Sequence, residues 1–332
     1  MRMPLPSAAA AALAVATAAL VVLPGAAFAA EAPAASSFTI SDPRIKESSG
    51  LAASRIHPGV YWTHNDSDDG PYVYAVDSAT GRTVARLTLT GIGKPRDVEA
   101  ISLGPDGQLY VGDIGDNRNG TWDHVWIYRF PEPKQLADAT VKATQFTVRY
   151  ADGPRNAEAL MVHPVTGRVY IASKDESKGG VYEGPAELSA DGSNVFRRVA
   201  DAPWVTDGAF SPDGNRLTLR GYFTARTYPW KDGRPEGEGE RVDAPWQGQA
   251  ESVTYTPDGS TLMFGAEGEG SRVIAVPASQ ASPGAPASPK PGSPSGAAPS
   301  PEPTGGFGKG AVVLAVGLAV VFVAKRLLRR RG

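Results

Sequence analysis

Carboxylates recur in this chain at one fixed place. Glu47, Asp97 with Glu99, Asn156 with Glu158, Asp207 and Glu251 each stand just before or inside the start of a short apolar run. Carboxylates gathered at one point repel and raise one another's pKa unless a cation joins them. An all-oxygen set with no thiol and few imidazoles selects a hard ion such as Ca²⁺. The set Glu47, Asp97, Glu99, Glu158, Asp207 and Glu251 is therefore the candidate metal site. The other reading is structural, with these groups accepting backbone hydrogen bonds that tie neighbouring segments together. Both readings stand at this point.

A second polar set falls where the apolar runs end: Asn65, Asp66, Asp113, Asp116, Asn117, Lys174, Asp175, Arg220 and Glu267. It mixes acids with two cations. Asn65, Asp66, Asp113, Asp116, Asn117, Lys174 and Arg220 are the candidate ligand-binding residues. Lys174 and Arg220 would hold an anionic group or neutralise the acids, and neutralisation is the favoured role. Asn65-Asp66-Ser67-Asp68-Asp69-Gly70 has the alternating oxygens of a calcium loop. The twelfth position is Val76, however, and flanking helices are absent, so an ordinary hairpin turn is the favoured reading and a hairpin-loop calcium site the alternative. No catalytic residue can be singled out. The chain has no nucleophile elbow, P-loop, zinc signature or dinucleotide fingerprint.

Five recurrences of one phrase position these residues. The phrase is an apolar run, a turn such as Pro105-Asp106-Gly107, and a return run. The return runs align Tyr61, Tyr110, Tyr170, Leu217 and Leu262, at spacings of 49, 60, 47 and 45 residues. A period of 40–50 residues with several short strands is the signature of a β-propeller. Third and fourth strands are expected at Tyr72–Asp77 and Arg82–Leu89, Val125–Phe130 and Ala143–Tyr150, Gly180–Gly184 and Val195–Ala200, and Ala225–Trp230 with a weak strand at Gly239–Ala244. The last repeat has only Arg272–Pro277. Ser36–Ile45 is a strand without a repeat, and pairing it there would close the ring and remove two edges. The fold class is thus all-β, a propeller of five four-stranded blades closed by an N-terminal strand, with six blades as the alternative.

The ends carry addresses. Residues 1–29 read as a signal peptide, with Arg2, an apolar core and Ala27-Phe28-Ala29. The propeller is expected over 36–277. Residues 278–306, rich in Pro, Ser, Ala and Gly, read as an extended stalk. Residues 307–328 read as a transmembrane helix and 329–332 as a basic cytoplasmic tail. This places the domain outside the cell on a single-pass anchor. Pro301-Glu302-Pro303-Thr304-Gly305 offers cell-wall sorting as a minor alternative. The formal net charge of −2 conceals a stretch from Glu31 to Ala278 with 34 acidic and 25 basic residues. That balance argues against nucleic acid. The expected partner is a small-molecule or surface ligand, and the expected state is a monomer. The chain has no cysteine, so no disulfide staples it.

ESSGL at Glu47–Leu51, THNDS at Thr63–Ser67, GDIGDN at Gly112–Asn117, NAEAL at Asn156–Leu160 and the Ser-Pro-Asp-Gly turn at Ser211–Gly214 resemble secreted bacterial propellers described as phytase-like or esterase-like. The resemblance implies a propeller and calcium-dependent hydrolysis of a phosphoester or ester. It makes Glu158 the best match to a metal carboxylate and Lys174 and Arg220 the candidates for phosphate contact. Gluconolactonase-type propellers, with Glu, Asn and Asp around one Ca²⁺, are a comparable analogy. Two functions follow from the sequence: a surface ligand-binding module with a polar channel site, or a calcium-dependent hydrolase of phosphoesters, esters or lactones.

Overall fold

The structure, a computed structural model, describes residues 35–278 except 67, 68 and 119. The expected signal peptide, transmembrane helix and tail lie outside these residues, as does all but the first residue of the stalk.

The described chain is all strand and turn. Four repeats begin as antiparallel meanders: Ser48–Ala53, Val60–Asn65, Tyr72–Asp77 and Arg82–Thr90; Ala100–Leu103, Gln108–Asp113, Val125–Pro131 and Thr144–Tyr150; Ala157–Val162, Val169–Ser173, Gly180–Glu183 and Ser193–Asp201; then Asp207–Phe210, Arg216–Arg220, Ala225–Lys231 and Glu240–Val242. The fifth is Ala250–Tyr255, Thr261–Ala266 and Arg272–Pro277, and its outer neighbour comes from the other end of the chain. Phe38 pairs with Val273 and Thr39 with Arg272. The N-terminal segment thus meets the last repeat as expected, although only Phe38–Thr39 of Ser36–Ile45 is strand.

Local chemistry explains the hairpins. Gly107, Gly214 and Gly259 take φ of 70°, 74° and 72°, the left-handed conformation that a residue with a Cβ resists. The aspartate before each glycine locks its turn. Asp213 Oδ1 accepts from Ser211 Oγ at 2.5 Å and the Asn215 amide at 3.1 Å, and Asp258 Oδ1 does the same for Thr256 and Ser260. These acids belong to folding.

Five apolar clusters hold the repeats together, and each is shared by two successive repeats. Trp62, Leu87, Leu109 and Phe130 join the first to the second; Ile127, Phe146, Leu160 and Ile171 the second to the third; Met161, Tyr170, Leu217 and Leu219 the third to the fourth; Ala225, Val242, Leu262 and Phe264 the fourth to the fifth. The last cluster, with Phe38, Tyr61, Tyr74 and Met263, joins the fifth back to the first. The first strands accordingly follow one another in closed order, 48–53 beside 100–103, 157–162, 207–210, 250–255 and 48–53 again. That arrangement is propeller-like. The first and second strands are buried on both faces, whereas Arg82–Thr90 at the rim alternates between buried and exposed positions.

The rim holds two joins that sequence reasoning missed. Thr144–Tyr150 runs parallel to Ser193–Asp201, fusing two repeats into one eight-stranded sheet. Ala139–Lys142 runs parallel to Arg82–Thr90. Each covers an edge that would otherwise present unpaired backbone.

Arg220 ties the fourth repeat to the fifth. It is 1% exposed, and its Nη1 donates to the carbonyls of Ser252 at 2.6 Å and Gly265 at 2.7 Å, while Nη2 donates to Gln247 Oε1 at 3.0 Å. Burial lowers its pKa to about 10, which leaves it charged at neutrality, and Glu251 and Asp207 favour the cation. Arg220→Met strands two carbonyls and removes the charge those acids face. The expected cost is about 3–5 kcal/mol, read from the denaturant midpoint; a loss under ~1 kcal/mol would contradict this role.

Candidate functional site: acids gathered at the start of the inner strands

The starts of the first strands and the ends of the second strands lie at one end of the ring, because each pair is antiparallel. At the bulge in the first repeat, the Asp66 amide donates to the Glu47 carbonyl at 2.9 Å. The Val98 amide then donates to the Asp66 carbonyl at 3.0 Å, which carries the second repeat alongside. The two polar sets read from the sequence are therefore one neighbourhood. The opposite end opens into a cavity of about 300 Å³ lined by Leu51, Ile101, Val162, Phe210 and Tyr255, and none of the clustered carboxylates lines it.

Several of the expected site residues organise loops. Asn65 Oδ1 accepts from the amides of Lys46 at 2.9 Å and Glu47 at 3.0 Å, and its Nδ2 donates to the Arg44 carbonyl and to Asp69. Asp113 accepts from the amides of Arg96 and Asp97 and from the Tyr128 hydroxyl at 2.5 Å. Asp116 accepts from the Trp122 amide at 2.6 Å. Asp207 accepts from the Val253 amide at 2.7 Å, linking the fourth repeat to the fifth. For Asp113 and Asp207, burial pushes the carboxyl upward and these hydrogen bonds oppose it.

What remains falls into two adjoining groups. In the first, carboxylate oxygens of Asp66, Asp97 and Glu99 all lie within 4.8 Å of one another. Asn117 Nδ2 holds Asp97 Oδ2 at 2.7 Å. Asp66 Oδ1 is buried with no hydrogen-bond partner. Burial pushes the Asp66 carboxyl well above its usual range, and Asp97, Glu267 and Glu47 add to the push. Glu99 is raised first by burial, then by Asp66, Glu158 and Asp97, against the pull of Lys174. Gly115, in the middle of GDIGDN, backs the pair. A Cβ there would stand 2.7 Å from Asp97 Oδ2 and from Glu99 Oε1, so glycine is what leaves room for both carboxylates.

In the second group, Lys174 forms an ion pair with Glu158, and its Nζ lies 2.7 Å from the Tyr222 hydroxyl. Burial alone would lower the Lys174 pKa; Glu158, Glu251, Tyr222 and Glu99 together drive it well above normal. Glu251 is raised by burial, with Lys174 opposing and Glu158 and Glu267 reinforcing. Glu267 accepts from Ser49 Oγ at 2.8 Å, and burial with the charge of Glu47 pushes it up to about 7. Glu47 itself is half-buried beside these acids.

The sorting differs from the sequence expectation in membership. Asp97 and Glu99 meet, but their third member is Asp66, assigned from sequence to the ligand-binding set. Glu158, the best match of the resemblance, sits with Lys174, which neutralises it. Tyr222 and Gly115 were not singled out. GDIGDN did mark Gly115, whereas a loop tyrosine carries no local signal.

The raised carboxyls fix a pH dependence. A group whose folded pKa exceeds its unfolded value stabilises below the unfolded value and loses that contribution as pH rises through the folded one. For Glu267 the window runs from about 4.5 to about 7. In chelator, the melting temperature should fall across that window. Flat melting from pH 4.5 to 7.5 would contradict the burial described here.

The fold and site together define an all-β, propeller-like protein with acids gathered at one end of its ring of first strands. No protein family's profile matches the chain, and no curated protein does. Among solved structures it is similar to the PQQ-bound aldose sugar dehydrogenase of Streptomyces coelicolor, with a TM-score of 0.43 and 13% identity, covering 74% of this chain and 99% of that one. It is also similar to Kuenenia stuttgartiensis hydrazine synthase (TM-score 0.38, 14% identity, 65% of this chain and 61% of that one) and to a chain of a mitotic checkpoint complex (TM-score 0.38, 15% identity, 69% and 60%). Likeness at this level carries no statement about activity.

Proposed function

We propose that this chain is a five-bladed propeller displayed at the cell surface, which binds a divalent cation between Asp66, Asp97 and Glu99 and uses the cup around it to bind a small-molecule or surface ligand. The observation that carries the reading is the convergence of three carboxylates from two repeats, one with a buried oxygen that no protein group satisfies. Three acids at one point need a counter-charge or a shared proton, and Lys174 is already committed to Glu158. Oxygen donors alone favour calcium, with backbone or water oxygens completing the shell. The closed order of first strands supports the five-blade count. Export with a C-terminal anchor rests on residues 1–29 and 307–332.

The test is calorimetric titration of the full-length protein with calcium, alongside thermal melting. Saturable binding that raises the melting point and disappears in Asp97→Asn supports the reading. Absence of binding, with identical melting in chelator, overturns it.

One observation favours a hydrolase, as the phytase-like resemblance implies. Glu99 feels the charge of both Asp66 and Lys174, so an ester oxygen placed at the trio would also lie near an ammonium. Bound calcium would supply Lewis-acid polarisation of that oxygen. Calcium-dependent turnover of phosphoesters, esters or lactones would establish this reading, and calcium binding with no turnover of any of the three would leave the binding module.

A further inference from the structure

Among the described residues, the tryptophan and phenylalanine side chains left most open to solvent are Trp204, Phe223 and Trp246, at 37%, 56% and 72% exposure. All three sit in loops of the fourth and fifth repeats at the acidic end of the ring. Trp204 precedes the strand starting at Asp207, Phe223 lies between Arg220 and Ala225, and Trp246 precedes the strand starting at Ala250. Trp204 stands edge-on to Tyr222, with centroids 5.2 Å apart and planes at 73°. Tyr222 is tilted by 57° to Phe223 at 6.3 Å. The loops carrying them touch, since a Cβ at Gly221 would lie 2.4 Å from the Trp204 carbonyl oxygen. Gln247, next to Trp246 in sequence, accepts from Arg220, which precedes Gly221.

Beneath these rings lie three glutamates and one buried lysine. The Tyr222 hydroxyl is shared between Lys174 and Glu251, and Glu158 and Glu267 lie close behind. Of the cations nearest these rings, Lys174 is ion-paired with Glu158 and Arg220 is buried against backbone carbonyls. The Lys174 ammonium stands 4.9 Å from the Tyr222 ring centre, on its hydroxyl side, which leaves the rings of Trp204 and Phe223 without a cation from this chain among the described contacts.

From this we infer that the rim formed by Trp204, Tyr222 and Phe223, flanked by Trp246, binds a small alkylammonium ligand. Aromatic faces attract organic cations through their quadrupole. The acids behind the rings outnumber the one ammonium among them, so whatever charge they carry disfavours an anion. A hydrated metal ion gains little from rings and goes to carboxylates. Three rings on short loops make a small contact, suited to a small molecule. The site uses different residues, in different repeats, from the calcium centre.

The test is a ligand-observed NMR titration of the full-length protein, in chelator and again in calcium, with choline and with its neutral isostere 3,3-dimethylbutan-1-ol. Choline should bind roughly 3-fold or more tightly than the alcohol, as expected for an exposed cation–π contact. Phe223→Leu and Trp204→Leu should each remove that preference without changing calcium affinity. Phe223 is the safer variant, because so much of its side chain is in solvent. Equal binding of choline and the alcohol, or a preference unchanged in both variants, would overturn the assignment. So would a trimethyl-lysine peptide binding more than ~10-fold tighter than choline, which would mark a protein partner. Loss of calcium binding with the choline preference intact would refute only the calcium reading.

Discussion

Lys174→Met is expected to destabilise the protein by about 3–5 kcal/mol at neutral pH, the cost of removing one partner of a buried ion pair. The ammonium is 15% exposed and pairs with Glu158, itself 3% exposed. It also lowers the pKa of Glu99, Glu251 and Glu267, so its removal raises all three further. Carboxyls raised in the folded state stabilise below their unfolded pKa and lose that contribution as pH rises. The deficit should therefore be large at pH 8 and small at pH 4.5, where the acids carry protons. Adding Glu158→Gln should recover most of it. Urea midpoints at the two pH values check this. An equal deficit at both, or no rescue by the double variant, would show that Lys174 acts through packing alone.

Glu99→Gln should move stability and cation affinity in opposite directions. Glu99 is buried and repelled by Asp66, Glu158 and Asp97, so the neutral amide relieves the metal-free protein. Melting in chelator should rise, by about 0.5–2 kcal/mol of stability, a range usual for relieving strain at a functional site. Calcium affinity should fall by about 100-fold or more, since one of three anionic ligands is lost. A variant less stable in chelator with calcium affinity intact would place Glu99 in the structural class. Sites that trade stability for binding behave in the first way.

Much of this fold was legible because its signals are local. The Pro-Asp-Gly turns at 105–107 and 212–214 announce hairpins within a few residues, and Tyr72–Asp77 and Arg272–Pro277 end where their alternation ends. The unpaired N-terminal strand and the incomplete last repeat pointed to each other. The parallel joins at 139–142 and 144–150 were not legible, because a parallel edge contact between strands about 50 residues apart leaves no turn between them. The site divides in the same way. Asp97 and Glu99 were visible as acids ahead of an apolar strand. Asp66 was sorted apart because sequence position within a repeat separates it from them, whereas the fold sets the end of one repeat's second strand against the start of the next repeat. Glu158 lies at the start of one strand and Lys174 just past the end of the strand paired with it, 16 residues on, and their ion pair follows from that pairing rather than from any motif.

The central claim is that Asp66, Asp97 and Glu99 hold a cation. Its most direct test is diffraction from crystals of the protein grown with terbium, a calcium surrogate with a strong anomalous signal. A single strong peak bounded by these three carboxylates, with oxygens at about 2.3–2.6 Å, is the predicted result. A peak confined to other residues, or no peak there while Asp66 and Asp97 share a proton, would contradict the account.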